Sequence, residues 1–108
     1  MRFINLTPHL MVIKSEKREL ILAGTKKPAR LWSEYTKAEP INNITCVKRL
    51  RTSCTNTPKS QKDIWYIVSA LVFDAFPERN DLVCPDTDAG AVRDSKGFIR
   101  HITRLVRR

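Results

Sequence analysis

The sequence predicts a small α+β domain with a mostly antiparallel sheet, one short helix at about residues 70–76 and a basic C-terminal strand or helix. A chain of 108 residues suits a single domain, covering residues 1–108. Short alternating or β-branched segments recur between polar or proline-containing turns, as in a sheet-rich fold. One internal segment, which ends before Pro77, has the composition of a helix.

The first predicted strands lie in residues 3–13, where apolar and polar residues alternate. Pro8 has no N–H for a strand ladder, so we expect an edge strand or two short strands around a kink. Residues 20–22 are expected to return as a hairpin partner, and strands at 29–36 and 44–51 are separated by a loop containing Pro40. The apolar face of the first segment would be formed by Ile4, Leu6, Leu10 and Val12.

Residues 60–76 allow two interpretations. Ser60 and Asp63 have the spacing of a helix cap, which would start one long helix. Residues 64–68 are instead wholly β-branched or aromatic, which favours a buried strand. We therefore predict strands at 64–68 and near 82–84, around a helix at about 70–76.

The last element follows a turn at residues 94–97 and is open between helix and strand. Its apolar residues recur at helical spacing, and strand alternation fits them less well. Either geometry puts Arg100 and Arg104 on one face. Because surface substitutions usually change stability little, we expect replacement of these two arginines, Arg107 and Arg108 by glutamate to affect folding little. The apolar residues are Phe98, Ile99, Ile102, Leu105 and Val106.

Charge is the clearest functional signal in the sequence. Twenty Lys and Arg oppose eleven Asp and Glu, a net charge of +9, which indicates a polyanionic partner or an acidic protein surface. Basic clusters at residues 48–62 and 91–108 flank an acidic stretch at 74–88, although solvated faces would give the same pattern. The cations predicted to bind the polyanion are Lys48, Arg49, Arg51, Lys59, Lys62, Arg93, Lys96, Arg100, Arg104, Arg107 and Arg108.

A further basic group contains aromatic residues. Trp32 and Tyr35 lie among four cations, a combination that suits phosphate contacts with base stacking. Burial of both aromatic rings in the core of a strand is the simpler explanation. No helix-turn-helix, zinc-finger or RNA-recognition motif is present, so sequence-specific readout is not predicted. The four cations are Lys26, Lys27, Arg30 and Lys37.

The sequence predicts a cytoplasmic protein without metal or cofactor. No apolar run approaches the ~20 residues of a membrane span, and the N-terminus does not resemble a signal peptide. Cys46, Cys54 and Cys84 are an odd number at long spacings, which argues against a disulfide framework. A zinc site would have to combine them with His9 or His101 from remote parts of the chain.

Three blocks of sequence resemble a family of small proteins encoded mainly by bacteriophages and prophages, which begin with an N-L-T-P-H motif. The blocks are residues 5–9, residues 65–72, and residues 85–87 with 92–97. The chain departs from the family at residues 51–57, where relatives carry an R-T-x-Y-G-E-V-like stretch. The resemblance implies an α+β fold, a strand after the last turn, and a phage accessory role in the bacterial host cell. It supplies no catalytic residues.

Two groups of residues are candidates for catalysis. Asn5, Thr7 and His9 would share a strand face as a possible pocket, with Ser69 or nearby carboxylates joining them. Asp86 and Asp88 could hold Mg²⁺ beside a phosphate. Turns that hydrogen-bond their own backbone are the stronger explanation of both groups, and no phosphate loop or nucleophile elbow is present.

The sequence therefore predicts a non-enzymatic phage accessory protein that recognises a polyanion, either nucleic acid or a phosphorylated ligand, through its basic clusters. One alternative is a phage-encoded inhibitor that binds a host defence protein. A second alternative is a small His/Asp-dependent phosphate-processing enzyme. No membrane partner is predicted, and the oligomeric state is left open.

Overall fold

The computed structural model describes residues 2–108, which form ten strands and one helix arranged in three sheets. About 50% of the residues lie in strands and 6% in the helix, so the fold is mostly β, with less helix than the predicted α+β class implies. The elements are β1 (Arg2–Asn5), β2 (Met11–Lys14), β3 (Glu19–Leu22), β4 (Arg30–Ile41), β5 (Ile44–Thr55), β6 (Ile64–Ile67), α1 (Ala70–Ala75), β7 (Leu82–Pro85), β8 (Ala91–Arg93), β9 (Ile99–Ile102) and β10 (Leu105–Val106).

The first sheet has the strand order β1-β6-β7-β10 and contains most of the core. Strands β1, β6 and β7 are parallel, α1 makes the crossover between β6 and β7, and β10 is antiparallel to β7. Tyr66, Ile67 and Val68 are almost fully buried, which explains the unbroken apolar sequence of β6. Over residues 2–108 four strand pairings are antiparallel and three are parallel, so the sheets are mixed. The expectation of mostly antiparallel pairing fails for this first sheet, because the pairing of strands distant in sequence is decided by tertiary packing.

The second sheet has the order β3-β2-β9-β8, with β2 and β9 parallel and the other pairs antiparallel. Met11 and Ile13 are buried, whereas Leu10 is 65% exposed. The predicted apolar face was therefore wrong beyond Pro8, because the bend between β1 and β2 shifts the alternation by one residue. The predicted division into two short strands is confirmed, as is the hairpin with β3.

The third sheet is the β4–β5 hairpin, two strands of twelve residues that extend about 40 Å at ~3.3 Å per residue. Asn42 and Asn43 have φ values of 46° and 66°, as a two-residue turn of type I′ requires. Pro40 lies within β4 and not in the predicted loop. It is tolerated because the register shifts between Ala38 and Ile41, leaving a bulge where a ladder N–H is not needed.

The alternative of one long helix over residues 60–76 was wrong, and so was the helical alternative for the last element. Helix α1 begins after Ser69, whose hydroxyl accepts the Val72 N–H (3.3 Å), and residues 64–67 form the predicted strand. The C-terminal segment forms β9 and β10, which bend around Thr103, so its apolar spacing fits two short strands on different sheets. Across residues 2–108 no helix is long and apolar enough to cross a membrane.

Candidate functional site

The Asn5–His9 motif, a predicted pocket, forms a hydrogen-bonded clasp. Asn5 Nδ2 donates to the carbonyl oxygens of His9 (2.9 Å), Leu22 (3.3 Å) and Ala23 (3.2 Å). Asn5 Oδ1 accepts from the Thr7 N–H (2.9 Å) and the Thr7 hydroxyl (2.6 Å). The side chains of Asn5 and Thr7 are buried, while His9 is exposed and contributes its carbonyl oxygen. The polar groups of Asn5 and Thr7 are thus directed at their own chain.

The other predicted catalytic residues follow the carboxyl ends of β6 and β7, and the side chains of Ser69 and Asp86 have partners within the chain. Ser69 caps α1. Asp86 accepts from Arg104 Nε at 2.7 Å and from the Asp88 N–H at 3.0 Å. Within the described chain, no three His, Cys, Asp or Glu side chains are grouped so as to hold a metal ion. Ser69 therefore has a structural role at the start of the helix, and Asp86 has one in the loop after β7.

The eleven predicted cations do not form one surface. The structure distributes them over the β4–β5 hairpin, the loop before β6, the β8–β9 hairpin, and the segment after β9. Apart from Arg108, three of them have hydrogen-bond or ion-pair partners: Arg51 pairs with Glu34 (2.8 Å), Arg104 pairs with Asp86, and Arg93 donates to two carbonyl oxygens of its own hairpin region. These three side chains therefore serve the fold as well as the surface charge.

Arg108 has the most extensive internal contacts of the predicted cations. Its guanidinium donates to the carbonyl oxygens of Phe73, Phe76 (2.6 Å) and Pro77 (2.9 Å) at the end of α1, and lies 3.9 Å from the centre of the Phe73 ring. These carbonyls belong to the last turn of a helix and the residues beyond it, which have no intrahelical partners. Arg108 therefore fastens the C-terminus to α1.

A groove lies beside the joint between the first two sheets. One cavity of about 290 Å³ and another of about 170 Å³ share Phe3 and Leu105 as lining residues. Ile13 and Leu20 continue the apolar floor of the larger cavity, and Trp65 and Val83 that of the smaller one. Because the two cavities share Phe3 and Leu105, they are neighbours, and we call the pair the arginine groove after the arginines that line them.

Three arginines line the arginine groove. Arg18 and Arg104 line the larger cavity, and Arg107 lines the smaller one with its guanidinium 4.7 Å from the centre of the Trp65 ring. Among residues 2–108, no acidic side chain lines either cavity. Arg104 keeps 63% of its side chain exposed despite its bond to Asp86. The groove therefore combines an apolar and aromatic floor with the positive charges of Arg18 and Arg107, which have no ion-pair partner among residues 2–108, and with Arg104, which is partly neutralised by Asp86.

The sequence identified only part of this groove. Arg104 and Arg107 were among the predicted cations, but Phe3, Arg18 and Trp65 were not connected with them. Phe3 and Trp65 are paired across β1 and β6, and Leu105 is paired with Pro85 on β7. Without the strand order, no sequence signal brings these residues together. Trp65 was assigned only to a buried strand, although it is half-buried at the surface.

A third depression, of about 610 Å³, is open and mixed in charge. It adjoins the groove through Trp65 and Arg107, and it also contains Glu78 and the Arg79–Asp81 pair. Arg79 Nε and Nη2 each lie 2.7 Å from an oxygen of Asp81. This bidentate contact holds the pKa of Asp81 below its usual range, against the opposing effect of burial. The acids make this depression a poorer anion site than the groove.

The Arg79–Asp81 pair predicts a pH dependence of stability. Because the folded-state pKa of Asp81 is depressed, its contribution is present above the unfolded value of ~3.9 and is lost as pH falls through the folded value. We expect D81N to be less stable than the wild type at about pH 6, with the difference narrowing below about pH 4. Urea unfolding at several pH values measures this, and a difference independent of pH would contradict it.

The aromatic residues of the β4–β5 hairpin are at the surface and not in the core. Trp32 and Tyr35 are 46% and 55% exposed. At the distal half, Ile41, Ile44 and Leu50 are exposed by 63–68%. The interpretation of the two rings as core residues was therefore wrong. The hairpin projects as an arm whose apolar side chains are exposed to solvent.

Comparison of the chain with known protein families, curated proteins and solved structures found no match.

Proposed function

We propose that the protein acts without turnover as a binding protein for nucleic acid, holding single-stranded nucleotides in the arginine groove. The observation that carries the proposal is the groove itself, in which Phe3 and Trp65 lie between Arg18, Arg104 and Arg107. Aromatic rings stack on bases of any sequence, and arginines bind the phosphates between them. The net charge of +9 supports the same class of ligand.

The position of Arg107 supports stacking at Trp65. Its guanidinium covers one part of the indole ring in the free protein. When a base takes its place on the ring, the guanidinium needs to move only to the adjacent phosphate. A rotation of the Arg107 side chain can therefore replace its contact with the indole ring by a contact with a phosphate, and the backbone does not need to move.

Tryptophan fluorescence provides a direct test, because the chain has two tryptophans and W32F leaves Trp65 alone. We expect single-stranded oligonucleotides to quench Trp65 in this background. R18Q/R107Q should weaken binding about tenfold or more and reduce the salt slope by roughly 1.4, since each lost phosphate contact on a single strand removes ~0.7.

The matched control is K26Q/K27Q, which removes the same charge from exposed side chains that do not line the groove. We expect a smaller loss of affinity in this control, due only to the lower net charge. Equal losses of affinity in the two variants would mean that binding depends only on net charge, which would contradict the groove as a specific site. Unchanged Trp65 fluorescence at saturating oligonucleotide would refute the groove as the site.

A host protein is the second candidate partner, and the exposed apolar residues of the arm favour it. Apolar surface of this extent on a small protein is typical of interaction sites. Under this proposal the protein would be an inhibitor, and the resemblance to phage-encoded proteins would place it among accessory proteins acting in a bacterial host. A nuclease-resistant complex that is lost on replacing arm residues, with the groove intact, would favour this candidate over nucleic acid.

A further inference from the structure

The distal half of the β4–β5 arm has two different faces. Because side chains alternate along a strand and paired residues point the same way, Tyr35, Lys37, Val47 and Arg49 share one face. Tyr35 and Val47 are 55% and 57% exposed. The opposite face carries smaller side chains and one cation, Lys48. One face of the arm thus alternates apolar groups with cations.

The tip of the arm is narrow and apolar. Ile41 and Ile44 are paired across the two-residue turn and are 68% and 67% exposed. Pro40 lies directly behind them in the bulge. Only Asn42 and Asn43 lie beyond this pair, so the end of the arm presents two aliphatic side chains at the width of a two-stranded ribbon.

The arm is positively charged where it is apolar. Its two strands carry five basic and two acidic side chains, and one of the acids, Glu34, is neutralised by Arg51. Lys37, Lys48 and Arg49 have no ion-pair partner among residues 2–108. Two copies of such an arm would repel each other, so a second copy of the chain is a poor occupant, and a polyanion is a better one.

We propose that the β4–β5 arm binds duplex DNA, with its ribbon following the minor groove and the Ile41–Ile44 pair wedged between base pairs at the tip. Apolar wedges of this kind unstack one step and bend the duplex by roughly 20–90°. Tyr35 and Val47 would contact the sugar walls, and Lys37, Lys48 and Arg49 the phosphates. The proposal rests on nucleic acid as the ligand but uses residues and a form of nucleic acid distinct from those of the arginine groove.

The test measures bending and affinity on the same duplex. A duplex of about 20–30 base pairs with a dye at each end and a central flexible TA step reports bending by energy transfer. We expect the wild-type protein to raise energy transfer. I41T/I44T should abolish the rise, because threonine preserves the β-branched strand geometry but removes the apolar wedge. Circular dichroism of this variant checks that the fold is intact.

The phosphate contacts of the arm's cations are tested in a separate experiment, through the salt dependence of duplex binding. K37Q/R49Q, which removes the two cations of the face shared with Tyr35 and Val47, should lower the salt slope of duplex binding by roughly 1.8, at ~0.9 for each phosphate contact on B-DNA. The control K96Q/R100Q removes the same charge from the β8–β9 hairpin region and should change the slope less. A folded I41T/I44T protein that bends the duplex like the wild type would overturn the wedge, and equal slopes for the two charge variants would overturn the arm as the contact.

The outcomes distinguish this proposal from that for the groove. R18Q/R107Q should weaken single-strand binding and leave duplex bending intact, whereas I41T/I44T should do the reverse. Failure of single strands to bind, with bending preserved, would refute the groove alone. If the duplex neither binds nor bends while oligonucleotides quench Trp65, the arm proposal is refuted, and a protein partner for the arm becomes the better explanation.

Discussion

Replacing Asn5 by alanine should lower the free energy of unfolding by about 3 kcal/mol or more, the largest effect we expect from a single polar substitution here. Asn5 is 7% exposed and makes five hydrogen bonds, which join the end of β1 to the backbone of three later residues and to Thr7. Alanine removes all five and leaves the Thr7 N–H, which is buried in the clasp, without its acceptor. Urea unfolding of the wild type and variant gives the difference directly.

Two further variants separate hydrogen bonding from the loss of side-chain volume. N5D keeps the acceptor for Thr7 but brings an oxygen against the three carbonyl oxygens that Asn5 Nδ2 contacts, so we expect it to be at least as destabilising as N5A near neutral pH. N80A, at an exposed asparagine, should change stability by no more than ~0.5 kcal/mol. An N5D protein as stable as the wild type would contradict the donor role of Nδ2.

The clasp also explains Gly24. A Cβ at this position would lie 2.5 Å from the carbonyl carbon and oxygen of Pro8 and 2.8 Å from the His9 nitrogen, all of which are backbone atoms. The N-L-T-P-H motif and the loop containing Gly24 therefore form one closely packed unit. This unit gives the motif a structural role that its sequence had left open between a pocket and a turn.

Replacing Arg108 by glutamine should destabilise the protein by about 1–2 kcal/mol, although Arg108 is exposed and lies at the end of the chain. The guanidinium contacts three backbone carbonyls at the end of α1 and the face of Phe73. Glutamine is too short to reach all of them and carries no charge to complement the helix C-terminus. Thermal unfolding should show a lower Tm, by roughly 4–8 °C for each kcal/mol.

Arg107 provides the matched control, because it is adjacent in sequence and equally basic. Its guanidinium lies over the Trp65 ring, so R107Q should cost at most ~1 kcal/mol. Equal Tm values for R107Q and R108Q would contradict the fastening role of Arg108. The sequence-based expectation that the C-terminal arginines can be replaced without affecting folding is corrected at Arg104 and Arg108, both of which have internal partners.

Local sequence determined most of the elements. Pattern and turn chemistry located β2 with β3, the strand at β6, helix α1 after Ser69, and the turn before β9, because each depends on residues close together in the chain. Polar residues at turns were also correctly identified. The same reasoning failed at Leu10 and Pro40, where one bend and one bulge shifted the alternation.

Only the tertiary structure decided which strands pair and what they bring together. The parallel pairing of β1 with β6 joins residues about 60 positions apart and places Phe3 beside Trp65. The bend after β9 brings Leu105 and Arg107 to the same groove. The sequence determined that the protein is small, basic and sheet-rich. Separating its cations into structural, groove and arm groups required the fold, because side-chain partners depend on long-range packing that charge patterns do not encode.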